Sequence, residues 1–239
     1  MEHREGFHIR FFTKKCYRFC PVVALSLLMA PAIFLGRPAA SAEAGNATVS
    51  AEAQKFIADF GKRAIDALTD QKISTAVRQK RFAVLLEEGF DVKTIGRFVL
   101  GRHWRCLTDA RKQKFLALFC RMITVNYAAR FKEFEGVVMQ VKSVECVVQG
   151  GVNVTTVITP PRGGHVVVVW KMFPADPADK AKTFRVVDVT IDNVSMSITQ
   201  RSEFAHSIQK VGEDMDAFLT DLEKRVQHAD QGVSKEAAH

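Results

Sequence analysis

The sequence predicts an α+β fold, with N-terminal helices and a C-terminal helical section packed on one face of an antiparallel sheet of about four strands, enclosing an apolar pocket. Three observations carry this. From Ser50 to about Phe134 apolar residues recur at helical spacing. From 137 to 191 the chain turns to runs of Val, Ile and Thr separated by turn residues. From Thr199 the helical spacing returns, which is the order of a helical layer laid over a meander.

In chain order, residues 43–49 are expected as a flexible start. Phe56, Phe60, Ala64, Ile65 and Leu68 mark a first helix, and Val77, Phe82, Leu85 and Leu86 a second over 74–88. Asp91 is a good N-cap for a third helix, with Phe90 expected to staple onto Ile95 and Gly101 placed to end it. Thr108-Asp109 caps a long helix predicted to reach about Phe134.

That helix carries two apolar stripes. One is Phe115, Leu118, Met122, Val125 and Ala129; the other is Leu116, Phe119, Ile123, Tyr127, Phe131 and Phe134. A helix apolar on most of its circumference must be covered on two sides, either deep in a core or between a core and a ligand cavity.

Strands are predicted over 137–148, 152–159, 165–173 and 183–191. Gln149-Gly150-Gly151 and Pro160–Gly164 read as hairpin turns, and Pro174–Lys182 as a longer exposed loop. A final helical section runs from Thr199 to about Gln227 with a break near Gly212, and the polar tail beyond it, 228–239, is expected to fray.

The first 42 residues read as a cleavable secretory signal. Arg10, Lys14, Lys15 and Arg18 precede an apolar run from Pro21 to Leu35, and Ala40-Ser41-Ala42 supplies the small residues of a cleavage site. The run is about 15 residues and broken by Pro, short for a membrane span. Cys20 precedes the run instead of following it, which argues against a lipoprotein site. Residues 43–239 then form a single domain of roughly 197 residues, enough for a sizeable core.

The net charge of +8 falls to about +4 once the signal is removed, because six basic and two acidic residues belong to it. No dense basic block remains, so a nucleic-acid partner is not expected. Three cysteines stay in the mature chain: Cys106, Cys120 and Cys146. None forms a Cys-x-x-Cys pair, and burial as small hydrophobes is expected, with a Cys106–Cys120 bridge left open.

No metalloprotease, phosphate-loop or nucleophile-elbow motif occurs, and the histidines have no partners at metal-ligand spacing, so no catalytic residue, metal or cofactor is nominated. Asp188 and Asp192 are read as a strand carboxylate with a local partner and a turn residue. What the chain offers instead is apolar surface on Val166, Val168, Trp170 and Met172, and on Val187, Val189 and Ile191.

Two segments carry a family resemblance. The first is Phe90-Asp91, then Gly96-Arg97-Phe98-Val99-Leu100-Gly101-Arg102-His103-Trp104-Arg105, followed by the long helix with Tyr127-Ala128. The second is Val186-Val187-Asp188-Val189, Ile191, Asn193-Val194-Ser195-Met196 and Gln200-Arg201-Ser202-Glu203-Phe204. Together they resemble the periplasmic MlaC family, the toluene-tolerance auxiliary proteins, one branch of which is associated with hopanoid biosynthesis. His103 stands where the family commonly has an aromatic residue.

The resemblance implies a soluble periplasmic lipid carrier, not an enzyme. It implies a phospholipid, or a hopanoid-type lipid, with its apolar part in a pocket between sheet and helices. The implied partners are an inner-membrane ABC transporter complex and an outer-membrane lipoprotein complex. On that reading the periodicity nominates a helix wall of Phe98, Leu118, Met122 and Tyr127, and a sheet wall of Val168, Trp170, Val187, Val189, Ile191 and Met196. Arg201 and Glu203 are read either as a mouth or as an ion pair fixing the strand-to-helix turn. Two other readings compete: an envelope enzyme using Asp188 or His103, and an envelope adaptor without cargo, in which the apolar excess is simply core.

Overall fold

The first helix starts earlier than the sequence suggests. In the computed structural model, which describes residues 40–175 and 184–236, α1 spans Ala40–Leu68. Residues 43–49 are therefore helical, not a flexible start. Val49 is drawn onto the sheet core beside Ala53 and Ile57, which gives this turn an apolar anchor. Residues 1–39 and 176–183, which hold most of the expected signal and most of the expected exposed loop, lie outside the described residues.

Four more elements follow as helices α2 (Thr75–Gly89), α3 (Val92–Leu100), a 3₁₀ segment over 101–106, and α4 (Asp109–Ala128). Ser74, Asp91 and Thr108 each accept a backbone N–H as N-caps, from Val77, Thr94 and Arg111. Gly101 closes α3 at φ 55°, a conformation that suits glycine. The long helix is α-helical only to Ala128, and Ala129–Phe134 tightens into a 3₁₀ turn. The expected staple does not form: Phe90 packs on Phe60 with ring centroids 6.1 Å apart, while Ile95 belongs to a different core. A backbone bond from Asp91 N–H to the Val186 carbonyl, 2.9 Å, holds Phe90 at the sheet instead.

The sheet is antiparallel, in the order β1 (Val138–Cys146), β2 (Val152–Thr159), β3 (Val166–Pro174), β4 (Phe184–Ile191), β5 (Val194–Ser195). Among the described residues it has five strands, where the sequence predicts about four. Asp192 and Asn193 both take positive φ, and that two-residue turn folds a short β5 back onto β4. A bulge in β4 matters for the site. Met172 pairs with Val186 and Lys171 with Asp188, so Val187 is an extra residue and does not continue the alternation of Val189 and Ile191.

Helix α5 (Met196–Lys210) starts immediately after β5, capped by Ser195, three residues earlier than the helical spacing from Thr199 implies. Gly212 (φ 67°) lies in the break before α6 (Met215–Glu236). α6 continues through the tail expected to fray; Arg121 donates through Nε to Asp230 at 2.9 Å, tying that stretch to α4.

Two cores result. The helical core joins α3 to α6 around Phe115, Phe119, Phe204 and Phe218. The sheet core lies under α1, around Ala53, Ile57, Val152, Val154, Met172, Phe184 and Val186. One buried cation serves the join between α1 and α2. Arg78, 1 % exposed, donates to the Leu68 carbonyl (2.7 Å) and the Asp70 carbonyl (2.6 Å), satisfying groups at the C-terminus of α1. The three cysteines among the described residues are free thiols. Cys106 and Cys146 are exposed, correcting the expectation of burial, because one ends the 3₁₀ segment and the other ends the edge strand β1; only Cys120 is part-buried.

Candidate functional site

The register of β2, β3 and β4 decides which nominated residues meet. Val168 lies opposite Ile191 and Trp170 opposite Val189, so these four share one face of adjacent strands. Thr156 and Val154 face Val168 and Trp170 from β2. Toward Met172 this face is sealed by α1. Toward the β2–β3 turn it is not: Ile158, Val166, Trp170 and Val189 are only half-buried, and Ile191 is 36 % exposed. The result is an apolar strip that runs off the end of a filled core.

Polar atoms on the strip are already occupied. Trp170 Nε1 donates to Thr156 Oγ1 at 2.9 Å, and Thr156 Oγ1 donates to the Val168 carbonyl at 3.3 Å. The hydrogen bond uses the indole's one donor, and the rest of the ring surface is apolar.

The remaining nominated residues are distributed elsewhere. Met196 opens α5, half-buried, next to β5. Leu118 and Met122 pack on the helical core, not on the sheet face, because α2, α3 and α6 cover both stripes of α4. Phe98 sits on the outer side of α3, with its ring 4.9 Å from the Arg201 guanidinium. Tyr127 lies in the last turn of α4, within reach of the charge on Glu203 of α5. Burial, with the Glu203 carboxylate as a second cause, pushes its phenol up.

Glu203 belongs to a small polar set that the sequence did not single out as one. Gln200 Nε2 donates to Glu203 Oε2 at 3.2 Å, while Gln200 Oε1 is buried without a hydrogen-bond partner. Burial raises the Glu203 carboxyl above its ordinary value. Arg201, two positions from Glu203 and so on a different side of α5, lies over the Phe98 ring and is not an ion-pair partner of Glu203.

Asp188 has a structural job. Its carboxylate accepts from Val189 N–H (2.9 Å), Ser195 Oγ (2.6 Å) and Ser197 N–H (3.0 Å). It thereby locks strand, turn and the first turn of α5 into one unit, which is why that stretch reads as a motif. Asp192 Oδ1 accepts from Val167 N–H at 3.2 Å. The two carboxylates serve different backbone groups and do not form an acid–base pair. His103 is half-buried, its Nε2 accepting from Arg102 Nε at 3.3 Å.

Two clefts of about 320 Å³ lie on the helical side. One is between α3, the 3₁₀ segment and α5; the other is between α5 and α6. Neither lies between sheet and helices, where the sequence placed the pocket.

A comparison with curated proteins gave no match. Among solved structures, the chain is similar to the phospholipid-binding protein of Ralstonia solanacearum, solved in complex with a phospholipid. The TM-score is 0.62 at 17% identity, over 74% of this chain and 97% of that one. At that identity the likeness is one of fold, here helices and an antiparallel sheet. The sequence matches the MlaC protein family over residues 59–224, from the middle of α1 to α6 and so across both cores, and the chain belongs to that family.

Proposed function

We propose that this protein is a lipid carrier that holds the hydrocarbon part of a phospholipid, or of a hopanoid-type lipid, against the strip of Val168, Trp170, Val189 and Ile191, which is buried at Val168 and half-covered at the other three. The strip is the observation that carries the reading: an apolar surface continuous with the core, with its polar atoms paired internally. Family membership and the fold shared with a phospholipid-binding protein support it.

The energetics fit a carrier. Moving lipid chains through water costs about 0.8 kcal/mol per methylene, so two chains of roughly 15 methylenes cost on the order of 20 kcal/mol. Apolar contact must offset most of that, but not all, or cargo would not leave. Aliphatic and aromatic side chains without directional bonds suit that compromise. Loading moves the helical layer away from the end of the sheet. Met196 and Tyr127 border the opened space, and the buried Gln200 carbonyl gains a partner. The carrier works in the periplasm, between an outer-membrane lipoprotein complex and an inner-membrane ABC transporter, and makes or breaks no bond.

Mass spectrometry of denatured, gently purified protein is expected to find stoichiometric co-extracted lipid, and its headgroup distinguishes phospholipid from hopanoid. Val168→Glu and Ile191→Glu are expected to empty the protein. Lipid-free protein from several mild preparations overturns the reading. Full occupancy in both folded variants removes the strip as the site.

A further inference from the structure

The cleft between α3, the 3₁₀ segment and α5 has a chemistry that hydrocarbon carriage does not use. Its lining includes three arginines: Arg97, Arg105 and Arg201. Most other surface arginines here have acidic partners: Arg63 with Glu88, Arg102 with Glu213, Arg111 with Asp216, Arg121 with Asp230, Arg225 with Asp221. The three in the cleft have none among the described residues, and their side chains make no hydrogen bond there. No carboxylate is among the lining residues; Thr94, which is, turns its hydroxyl to Asp91 at the start of α3.

The cleft also builds a support for one of these cations. Phe98 lies 4.9 Å below the Arg201 guanidinium, and Gly101 leaves room on another side, since a Cβ there would sit 3.2 Å from Arg201 Nη2. Stacking on an aromatic ring fixes the plane of the guanidinium while leaving its N–H edge free. A fixed fork beside two further unpaired guanidiniums is an arrangement that repels itself until an anion enters. A space of about 320 Å³ takes one compact oxyanion and its substituents.

We propose that this cleft is an oxyanion site for a phosphate group, held by Arg97, Arg105 and Arg201, distinct from the apolar strip. The phosphate comes either from a lipid headgroup or from free phosphate. Bidentate guanidinium contacts recognise both, and the two sources separate experimentally.

The test is calorimetric titration of the intact, delipidated protein at low salt. One arm uses inorganic phosphate, another dihexanoylphosphatidylglycerol below its micelle concentration, and a third an octaglutamate peptide. Saturable binding of phosphate or of the lipid is expected, weakened at least tenfold in Arg97→Gln/Arg105→Gln and in Arg201→Gln. These side chains are exposed, so the variants are expected to fold. Arg201→Lys keeps the charge but loses the stacked fork, and is expected to weaken binding by a smaller factor. Binding of both ligands assigns the bare oxyanion; binding of the lipid alone assigns a headgroup. No saturable binding in either arm, or binding that ignores the arginines, overturns the site. Arginine-dependent binding of octaglutamate alone also overturns it, in favour of an acidic protein partner. Co-purified lipid retained in Arg97→Gln/Arg105→Gln, with phosphate binding lost, separates this site from the carrier reading.

Discussion

The helical core and the open end of the sheet are both built of apolar side chains but cover them differently. In the helical core, Phe115, Phe119, Phe204 and Phe218 are at most 1 % exposed and meet ring to ring. Phe204 stands edge-on to the other three at centroid distances of 5.6 to 5.9 Å. At the end of the sheet, Ile158, Val166, Val189 and Ile191 have a cross-strand neighbour but no complete layer above them. Close packing makes the first region a rigid scaffold. Incomplete packing makes the second the place where a greasy ligand supplies the missing contacts. Ligand binding belongs where the protein has left its own packing unfinished.

A pair of truncations puts that contrast to the sharpest test. Phe204→Ala leaves a cavity among three rings and is expected to cost about 3–5 kcal/mol of folding stability, with bound lipid lost only through unfolding. Ile191→Ala is expected to change stability by about 1 kcal/mol or less while reducing lipid occupancy in folded protein. Denaturant titration beside lipid analysis measures both. Equal stability losses at the two sites would erase the distinction between scaffold and binding surface.

Arg78 tests whether the scaffold also depends on polar contacts. Arg78→Met keeps much of the apolar stem but orphans the Leu68 and Asp70 carbonyls, and a loss of about 2–3 kcal/mol is expected. A neutral result would mean that these carbonyls find water.

The scaffold was legible in the sequence to a greater degree than the site. Ser74, Asp91 and Thr108 announce helix starts through local chemistry, as do the two glycine-containing hairpin turns. Arg78 had a readable signal too, since it falls on the same helical face as Phe82 and Leu85. The partners of α4 had none: periodicity says that Leu118 and Met122 turn inward, but not whether they meet a sheet or other helices. β5 is two residues long and leaves no period to detect. The bulge at Val187 breaks alternation through backbone pairing, to which an unbroken Val-Val-Asp-Val pattern gives no clue. The arginine cleft depends on residues from α3, the 3₁₀ segment and α5, which only folding brings together.

Glu203 gives the contrast a pH dependence. Its folded pKa lies above the ordinary 4.5 because burial disfavours the charged form. The native state then binds more protons than the unfolded state, so stability falls as pH rises from about 4.5 through the raised folded value. Glu203→Gln is expected to remove that slope while preserving the shape of the side chain. Melting temperatures of both proteins between pH 4 and 8 measure it. Curves that stay parallel would place the carboxylate in water.

The smallest expected effect concerns the thiols, and it reads local packing without changing it. Burial, with the Glu87 carboxylate adding to it, pushes the Cys120 thiol up to about 11, so at pH 8 only about one part in a thousand is thiolate. Cys106 and Cys146 are exposed at the ends of their elements. Labelling with a thiol reagent at pH 8 is therefore expected to show two fast sites and one slow one, resolved by peptide mass spectrometry. Cys120 sits on α4 within the helical half, so its rate reports opening of that half. Lipid loading that works only at the end of the sheet leaves the slow rate unchanged. A Cys120 rate that rises several-fold on removal of lipid would show that both regions open together, and the separation of rigid scaffold from yielding strip would fail.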